Sequence, residues 1–354
     1  MKDKKNDITA VARAANVSPS TVSRSFNHPE LVKASTRKKI DAAVRRLGYI
    51  RNRAAQTIHG IRSATIGLVV PTVDQTIFAE LIQSFAQSVE TRGFTILLAS
   101  HGYSLDREYA LVRKMLEHRV DGIALIGTDH APDTCALLQQ QATPTLLLWN
   151  VAQDAPFPCV GSDNYQAGYM IGAHVAGLGH TAIASVFPPL FGNDRASGRL
   201  AGVRDALRQH DVDIPLDWQL ETPYSVSAAK ETVADLIASD HRPTALICGN
   251  DVLAWGGLHA LTKAGLSAPR DLTVTGIGDF RGSRAFEPAL TTVRIPARAI
   301  GARAAEVIAQ MITGEVKDGA SVDLSPELVL RATSQPPSHS PQSQPQPFSV
   351  RDLP

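Results

Sequence analysis

The stretch DITAVARAANVSPSTVSRSFN, residues 7–27, decides how this chain begins to fold. Ile8, Val11, Ala12 and Ala15 recur at helical spacing and share one face, and Asp7 is placed to cap the first turn. Asn16 and Val17 interrupt that helix, and asparagine tolerates the left-handed conformation a tight turn needs. Ser18 caps a second helix, and Pro19 suits its first position, where a missing N–H costs nothing. Val22 and Phe26 lie one turn apart and can pack back on the first helix, with Ala12 small where the two cross. The spacing predicts a helix-turn-helix.

The second helix then presents Ser20, Thr21, Ser23 and Arg24 outward, short hydroxyls and a guanidinium suited to base edges and phosphates in a major groove. Ser18, Pro19 and Asn27, at the two ends of that helix, complete the candidate DNA-contacting set. A third helix is expected from about Ser35 to Leu47, with Ile40, Ala43, Val44 and Leu47 as its inner stripe. Charge supports a polyanion partner. Residues 1–60 hold 13 Lys and Arg against 4 Asp and Glu, a net of +9. The chain as a whole carries only +1, so the remainder is acidic.

RNRAAQTIHG, residues 51–60, is long enough for two helical turns but has almost nothing to bury. An isolated helix of that length is marginal in water, so it is expected to fold only on a partner.

From Ala64 onward short apolar strands alternate with amphipathic helices. ATIGLVV, FTILLAS, DGIALIG and TPTLLLWN read as buried strands, and the alternation restarts after PCVGSD with TAIASVF, TALICGN and DLTVTGIGD. In the second run, helices are expected from about Tyr165, Gly198, Ser227 and Asp251. Two such runs imply two doubly wound lobes with parallel sheets, and a cleft between them near the strand carboxyl ends. LTTVRI and the helix after Pro296 are expected to return to the first lobe. Cys135, Cys159 and Cys248 match no metal or CxxC spacing and are expected to be reduced thiols. No stretch approaches the roughly 18 apolar residues of a membrane helix. The N-terminal region makes a poor secretory signal, so a cytoplasmic location is expected. No metal or cofactor is expected.

Several motifs, VARAANVSPSTVSRSFN, RRLGYIRNRAAQTI, GSDNYQAG, GRLAG, GNDVLA and EPALTTVR, occur in one order over residues 7 to about 333. In that arrangement the chain resembles the lactose-repressor family of bacterial transcription regulators. The resemblance implies an all-α helix-turn-helix head (1–50), a hinge helix (51–60) and an α/β, two-lobed periplasmic-binding-protein-like core (61–333). It places the lobes at about 61–160 plus 293–333 and at 161–292. In the hinge, it implies that two copies pack in the minor groove, with Ile58 as the apolar wedge and Arg53 and Ala55 facing the groove. Leucine is usual where Ile58 sits, and proline where Arg51 sits.

The resemblance also implies the effector-binding residues. Ile77 and Phe78 would stack on the ligand, Asp163 in GSDN would accept hydroxyls, and Arg199 in SGRLAG would donate a bidentate fork. Tyr224 would form an aromatic wall and Asn250 in GND would supply an amide, with Asp251 capping the next helix. Many sugar-binding members have two aspartates where this chain reads GIGDF, so Gly278 replaces the first and Asp279 remains. Losing an anion from a cleft that keeps Arg199 and Arg195 favours an anionic effector. HGYSLDREYALVRKML, TDHAP and GSDNYQAG are more similar to the gluconate-type repressors than to the lactose or purine types, which points to a sugar acid or related small carboxylate. His101 and His130 fall at expected strand ends beside it.

SQPPSHSPQSQPQPFSVRDLP, residues 334–354, is rich in Pro, Ser and Gln, lacks a leucine heptad and is expected to be disordered. A homodimer reading a near-palindromic operator on double-stranded DNA is therefore expected rather than a tetramer. Nucleophile elbows, P-loops and HExxH motifs are missing from the sequence, so catalysis is not expected. The competing readings are a cytosolic enzyme acting on a sugar acid and a solute-binding protein, either using the same cleft.

Overall fold

The computed structural model describes residues 7–50, 62–74, 76–239, 241–316 and 319–338. The chain divides into two compact units between Ser63 and Ala64.

The first unit is three helices, α1 (Ile8–Ala15), α2 (Pro19–Asn27) and α3 (Ala34–Leu47). Local chemistry sets their ends. Asp7 accepts from the Ala10 N–H at 2.8 Å, and Ser18 Oγ accepts from the Thr21 N–H at 3.2 Å. Asn16 adopts φ 55°, ψ 51°, so the turn is left-handed as its side chain permits. Val11, Ala12, Ala15, Val22, Ile40 and Ala43 form the core, flanked by half-buried Phe26, Val44, Leu47 and Tyr49. A short 3₁₀ turn, Pro29–Leu31, which periodicity did not reveal, precedes α3.

The second unit holds two six-stranded sheets. The first sheet contains β1 (Thr65–Val70), β2 (Thr95–Ser100), β3 (Gly122–Ile126), β4 (Thr145–Asn150), β5 (Cys159–Ser162) and β11 (Val322–Asp323). Its order is β11-β5-β4-β3-β1-β2, with every pair parallel. Its faces are covered by α4 (Thr76–Glu90) and α11 (Ala297–Thr313) on one side, and by α5 (Leu105–Glu117) and α6 (Pro132–Gln140) on the other. Leu81 and Phe85 of α4 and Ile300 of α11 are completely buried. Each such side chain contributes roughly 1.5–3 kcal/mol through the area it removes from water.

The second sheet contains β6 (Ile183–Phe187), β7 (Gln219–Glu221), β8 (Ala245–Cys248), β9 (Thr273–Gly278), β10 (Thr291–Arg294) and β12 (Glu327–Val329). Its order is β12-β10-β9-β8-β6-β7, and only β12 runs antiparallel. Helices α7 (Asn164–Gly177) and α8 (Asp194–Arg208) pack together on one face, and α9 (Val226–Ala238) and α10 (Asp251–Lys263) on the other. The α7–α8 contact is backbone against backbone. A Cβ at Gly168 would run into the Arg199 carbonyl oxygen, and one at Gly202 into that of Tyr165. The glycines of GSDNYQAG and GRLAG thus let the two helices touch.

Three expectations need correction. Residues 293–333 do not all return to the first lobe: α11 and β11 do, but β10 and β12 are strands of the second sheet. The chain therefore crosses between lobes three times, and β11 and β12, two and three residues long, were too short for a periodic signal. Residues 334–338 are not a loose tail. Ser334 Oγ lies 3.0 Å from His174 Nε2, and the Gln335 carbonyl lies 2.9 Å from His180 Nε2. Ser338 Oγ donates to the Arg270 carbonyl at 3.0 Å; residues 339–354 lie outside the described residues. Finally, α8 begins at Asp194, four residues before the expected Gly198, because Asn193 caps it by accepting from the Ala196 N–H at 3.4 Å.

Candidate functional site

In the first unit, Ser18, Pro19, Ser20, Arg24 and Asn27 are exposed and Thr21 and Ser23 half-buried, so one side of α2 offers hydroxyls and a guanidinium to solvent. Ser18 Oγ lies 2.8 Å from both Ser20 Oγ and Thr21 Oγ1, and Asn27 Nδ2 donates to Ser23 Oγ at 3.3 Å. Short polar groups organised at a helix N-terminus can meet phosphates and base edges together.

In the second unit, the early start of α8 places Arg195 and Arg199 one turn apart. With Phe78, Tyr103, Trp149, Tyr224 and Asn250 they line a pinched space of about 10 Å³ between the lobes. That is far below the roughly 300–1,000 Å³ of common ligand clefts, so the lobes must part to admit a ligand. Phe78 and Trp149 meet edge-on with ring centroids 5.8 Å apart, and the buried Trp149 indole N–H has no hydrogen-bond partner among the described residues. Arg199 is only 2% exposed. Its Nε donates to Asn164 Oδ1 at 2.7 Å and its NH1 to the Gly249 carbonyl at 3.0 Å. Both partners are neutral, and among the described residues no carboxylate lies within ion-pair distance of it. Burial pulls its pKa below the ordinary arginine value. Arg195 differs, since its NH1 pairs with Asp194 Oδ1 at 2.7 Å.

The comparisons with known proteins agree with both halves of this description. Residues 7–52 match bacterial regulatory proteins, lacI family, and residues 173–334 match the periplasmic binding protein-like domain. The chain is 30% identical over 327 residues to the HTH-type transcriptional repressor PurR of Klebsiella pneumoniae, covering 92% of this chain and 95% of that one. The chain belongs to the lacI family of bacterial regulatory proteins. A lac repressor dimer bound to operator and the anti-inducer ONPF is similar at a TM-score of 0.81 and 26% identity, over 93% of this chain and 99% of that one. The transcription regulator GntR from Chromobacterium violaceum is similar at 0.72 and 31%, over 76% and 99%. This lacI-family chain is thus a DNA-binding transcriptional repressor with a helix-turn-helix domain and a two-lobed α/β core, and not an enzyme.

Of the effector residues expected in this lacI-family chain, the structure gathers Phe78, Arg195, Arg199, Tyr224 and Asn250 at one cleft. Of Ile77 only its backbone, in α4, is described. Asp163 is not at the cleft. Its carboxylate caps α7, accepting from the Gln166 N–H at 3.0 Å, and the neighbouring Asn164 reaches Arg199 instead. Asp279 is also elsewhere, held by Arg294 at 2.8 Å and Arg331 at 2.5 Å. It borders a separate cavity of about 340 Å³ with Glu80 and Arg298. Asn250, rather than Asp251, caps α10, accepting from the Leu253 N–H at 3.1 Å. Asp251 is completely buried and accepts from the Phe280 N–H, Ser283 Oγ and Thr292 Oγ1 at 2.8, 2.5 and 2.6 Å. Burial raises its pKa, outweighing those bonds. Arg53, Ala55 and Ile58 lie outside the described residues.

His130 sits behind the cleft, with Nδ1 2.9 Å from Glu108 Oε1 and Nε2 3.1 Å from the Gly127 carbonyl. His101 Nε2 is 3.8 Å from the other Glu108 oxygen. Burial lowers the His101 pKa. For His130 burial acts the same way, but the Glu108 bond and charge outweigh it and raise the pKa. Neither histidine lines the cleft.

Sequence reasoning missed Tyr103, Trp149, Asn150, Asn164 and Asp194. One signal was available. Trp149 and Asn150 end the buried strand TLLLWN at its carboxyl end, where α/β folds hold ligands.

Proposed function

We propose that this repressor is controlled by a small carboxylate, of the sugar-acid class such as gluconate, bound between the lobes. The observation that carries the reading is Arg199: a buried guanidinium at the cleft whose partners are the neutral Asn164 and Gly249 oxygens. A buried charge is costly unless paired, so a ligand carboxylate would be favoured there.

In this reading the protein is a cytoplasmic homodimer whose two helix-turn-helix domains read a near-palindromic operator. Residues 51–60 order on that DNA, with Ile58 as the wedge. Effector binding changes the lobe angle and thereby the spacing of the two hinge segments. Such coupling is typically about 1–3 kcal/mol and reciprocal.

The test is a thermal-shift titration of the full chain with gluconate, glucose and a purine base, repeated on Arg199→Lys and Arg199→Ala. Gluconate alone should raise the melting temperature of the wild type, Lys should retain part of the effect, and Ala none. An equal response to glucose in wild type and both variants refutes the anionic reading.

A further inference from the structure

The second lobe reaches across the cleft through one carboxylate. Asp194, the first residue of α8, accepts three hydrogen bonds from the first lobe on its Oδ2. They come from the Thr128 N–H at 2.7 Å, Thr128 Oγ1 at 2.9 Å and Asn150 Nδ2 at 2.6 Å. Its Oδ1 accepts from the Arg195 N–H at 2.8 Å and from Arg195 NH1 at 2.7 Å. The backbone is shaped for this approach. Gly127 holds φ +95°, and a Cβ there would lie 2.5 Å from Arg195 NH1 and 3.1 Å from Asp194 Oδ2. Asn150 extends the connection, its Oδ1 accepting from Asn164 Nδ2 at 2.7 Å, and Asn164 in turn receives Arg199. The chain of bonds runs from Thr128 to Arg199 without any ligand.

We propose that Asp194 is an internal competitor of the effector, latching the lobes through Thr128 and Asn150 while occupying the cleft cation Arg195. The latch stands on the geometry alone; the competition rests on the anionic-effector reading above. Arg195 borders the cleft and already has a carboxylate partner, whereas Arg199 has none. An incoming carboxylate would settle on Arg199 and draw Arg195 from Asp194. A carboxylate that loses its guanidinium has weaker reason to stay desolvated and turns toward water. The three bonds to the first lobe would weaken with it. Binding of the anion then loosens one specific cross-lobe contact, where simple closure on a ligand would tighten it.

The Thr128 amide reports directly, because its N–H donates to Asp194. Hydrogen exchange at that amide should be measured on the full chain, with and without gluconate, in the wild type, Asp194→Asn and Thr128→Val. Without gluconate, Asp194→Asn should accelerate exchange at least tenfold. Thr128→Val, which keeps the carboxylate and loses one donor, should do so less. In the wild type gluconate should accelerate it, and Asp194→Asn should bind gluconate several-fold more tightly because Arg195 is free. Unchanged exchange in ligand-free Asp194→Asn overturns the latch whatever gluconate does. Slower exchange in wild type with gluconate, or weaker gluconate binding by Asp194→Asn, overturns the competition. Accelerated exchange in the variants with no gluconate binding by any protein supports the latch and refutes the effector reading. If Asp194→Asn does not fold, Thr128→Val with and without Asn150→Ala gives the same exchange readout.

Discussion

Arg199 Nε donates to Asn164 Oδ1 at 2.7 Å, joining the middle of α8 to the first residue of α7. The contact exists because the Gly168 and Gly202 backbones let these helices touch. Both amide hydrogens of Asn164 are committed as well, since its Nδ2 donates to Asn150 Oδ1 at 2.7 Å and to the Ser162 carbonyl at 3.3 Å.

Asn164→Ala removes an acceptor from a buried cation. Hydrogen bonds to charged groups contribute about 1.5–3 kcal/mol, and the variant should lose that much stability in urea unfolding. Asn164→Asp places a carboxylate on Arg199 instead. It should also lose stability, because its second oxygen then faces the Asn150 Oδ1 and Ser162 carbonyl acceptors, and it should lose the gluconate-dependent thermal shift, which calorimetric titration would check.

Gly202→Ala tests the helix contact itself. The added methyl meets the Tyr165 carbonyl, and overpacking of this kind costs about 1–3 kcal/mol. Both the melting temperature and effector affinity should fall, because Arg199 moves with the helix. Gly177→Ala is the control: nothing lies within 4 Å of its Cβ position, and stability should not drop.

His130 predicts a pH dependence. Both ring nitrogens face acceptors, the Glu108 carboxylate and the Gly127 carbonyl, so the doubly protonated ring is favoured. His101 and Asp194 are the other titratable groups nearby. The folded pKa is raised above 6.5, so the stabilisation is fully present below that value and is lost as pH rises through the folded pKa. Urea unfolding should show wild type losing stability relative to His130→Gln on going from acid to alkaline pH. A constant difference between the two would show that folding leaves the ring's pKa unshifted, and a rising one that the fold holds the ring neutral.

Ile58→Ala tests the proposed hinge role of residues 51–60. It should weaken operator binding in a gel-shift or anisotropy assay while leaving effector affinity without DNA unchanged. Arg24→Ala should weaken operator binding too, with a shallower salt dependence if its contact is to phosphate. Loss of effector binding in either variant would indicate misfolding rather than a DNA contact.

The sequence by itself determined what nearest neighbours decide. Asp7, Asn16, Ser18 and Pro19 set the ends of α1 and α2, because caps and turns act within a few residues. The alternation of strand and helix likewise announced two wound sheets, and the motifs singled out Arg199, which lines the cleft, and Asp163, which caps a helix instead. Tertiary structure decided everything that depends on pairs distant in the chain. It chose Asn164 over Asp163 as the neighbour of Arg199 and drew Asp279 onto Arg294 and Arg331. It also brought Asp194 to Thr128, 66 residues away, and pinned Ser334 and Gln335 against His174 and His180. A side chain's local pattern states what it can bond to. Which partner it meets depends on the path of the backbone, and here that path crosses between the lobes three times.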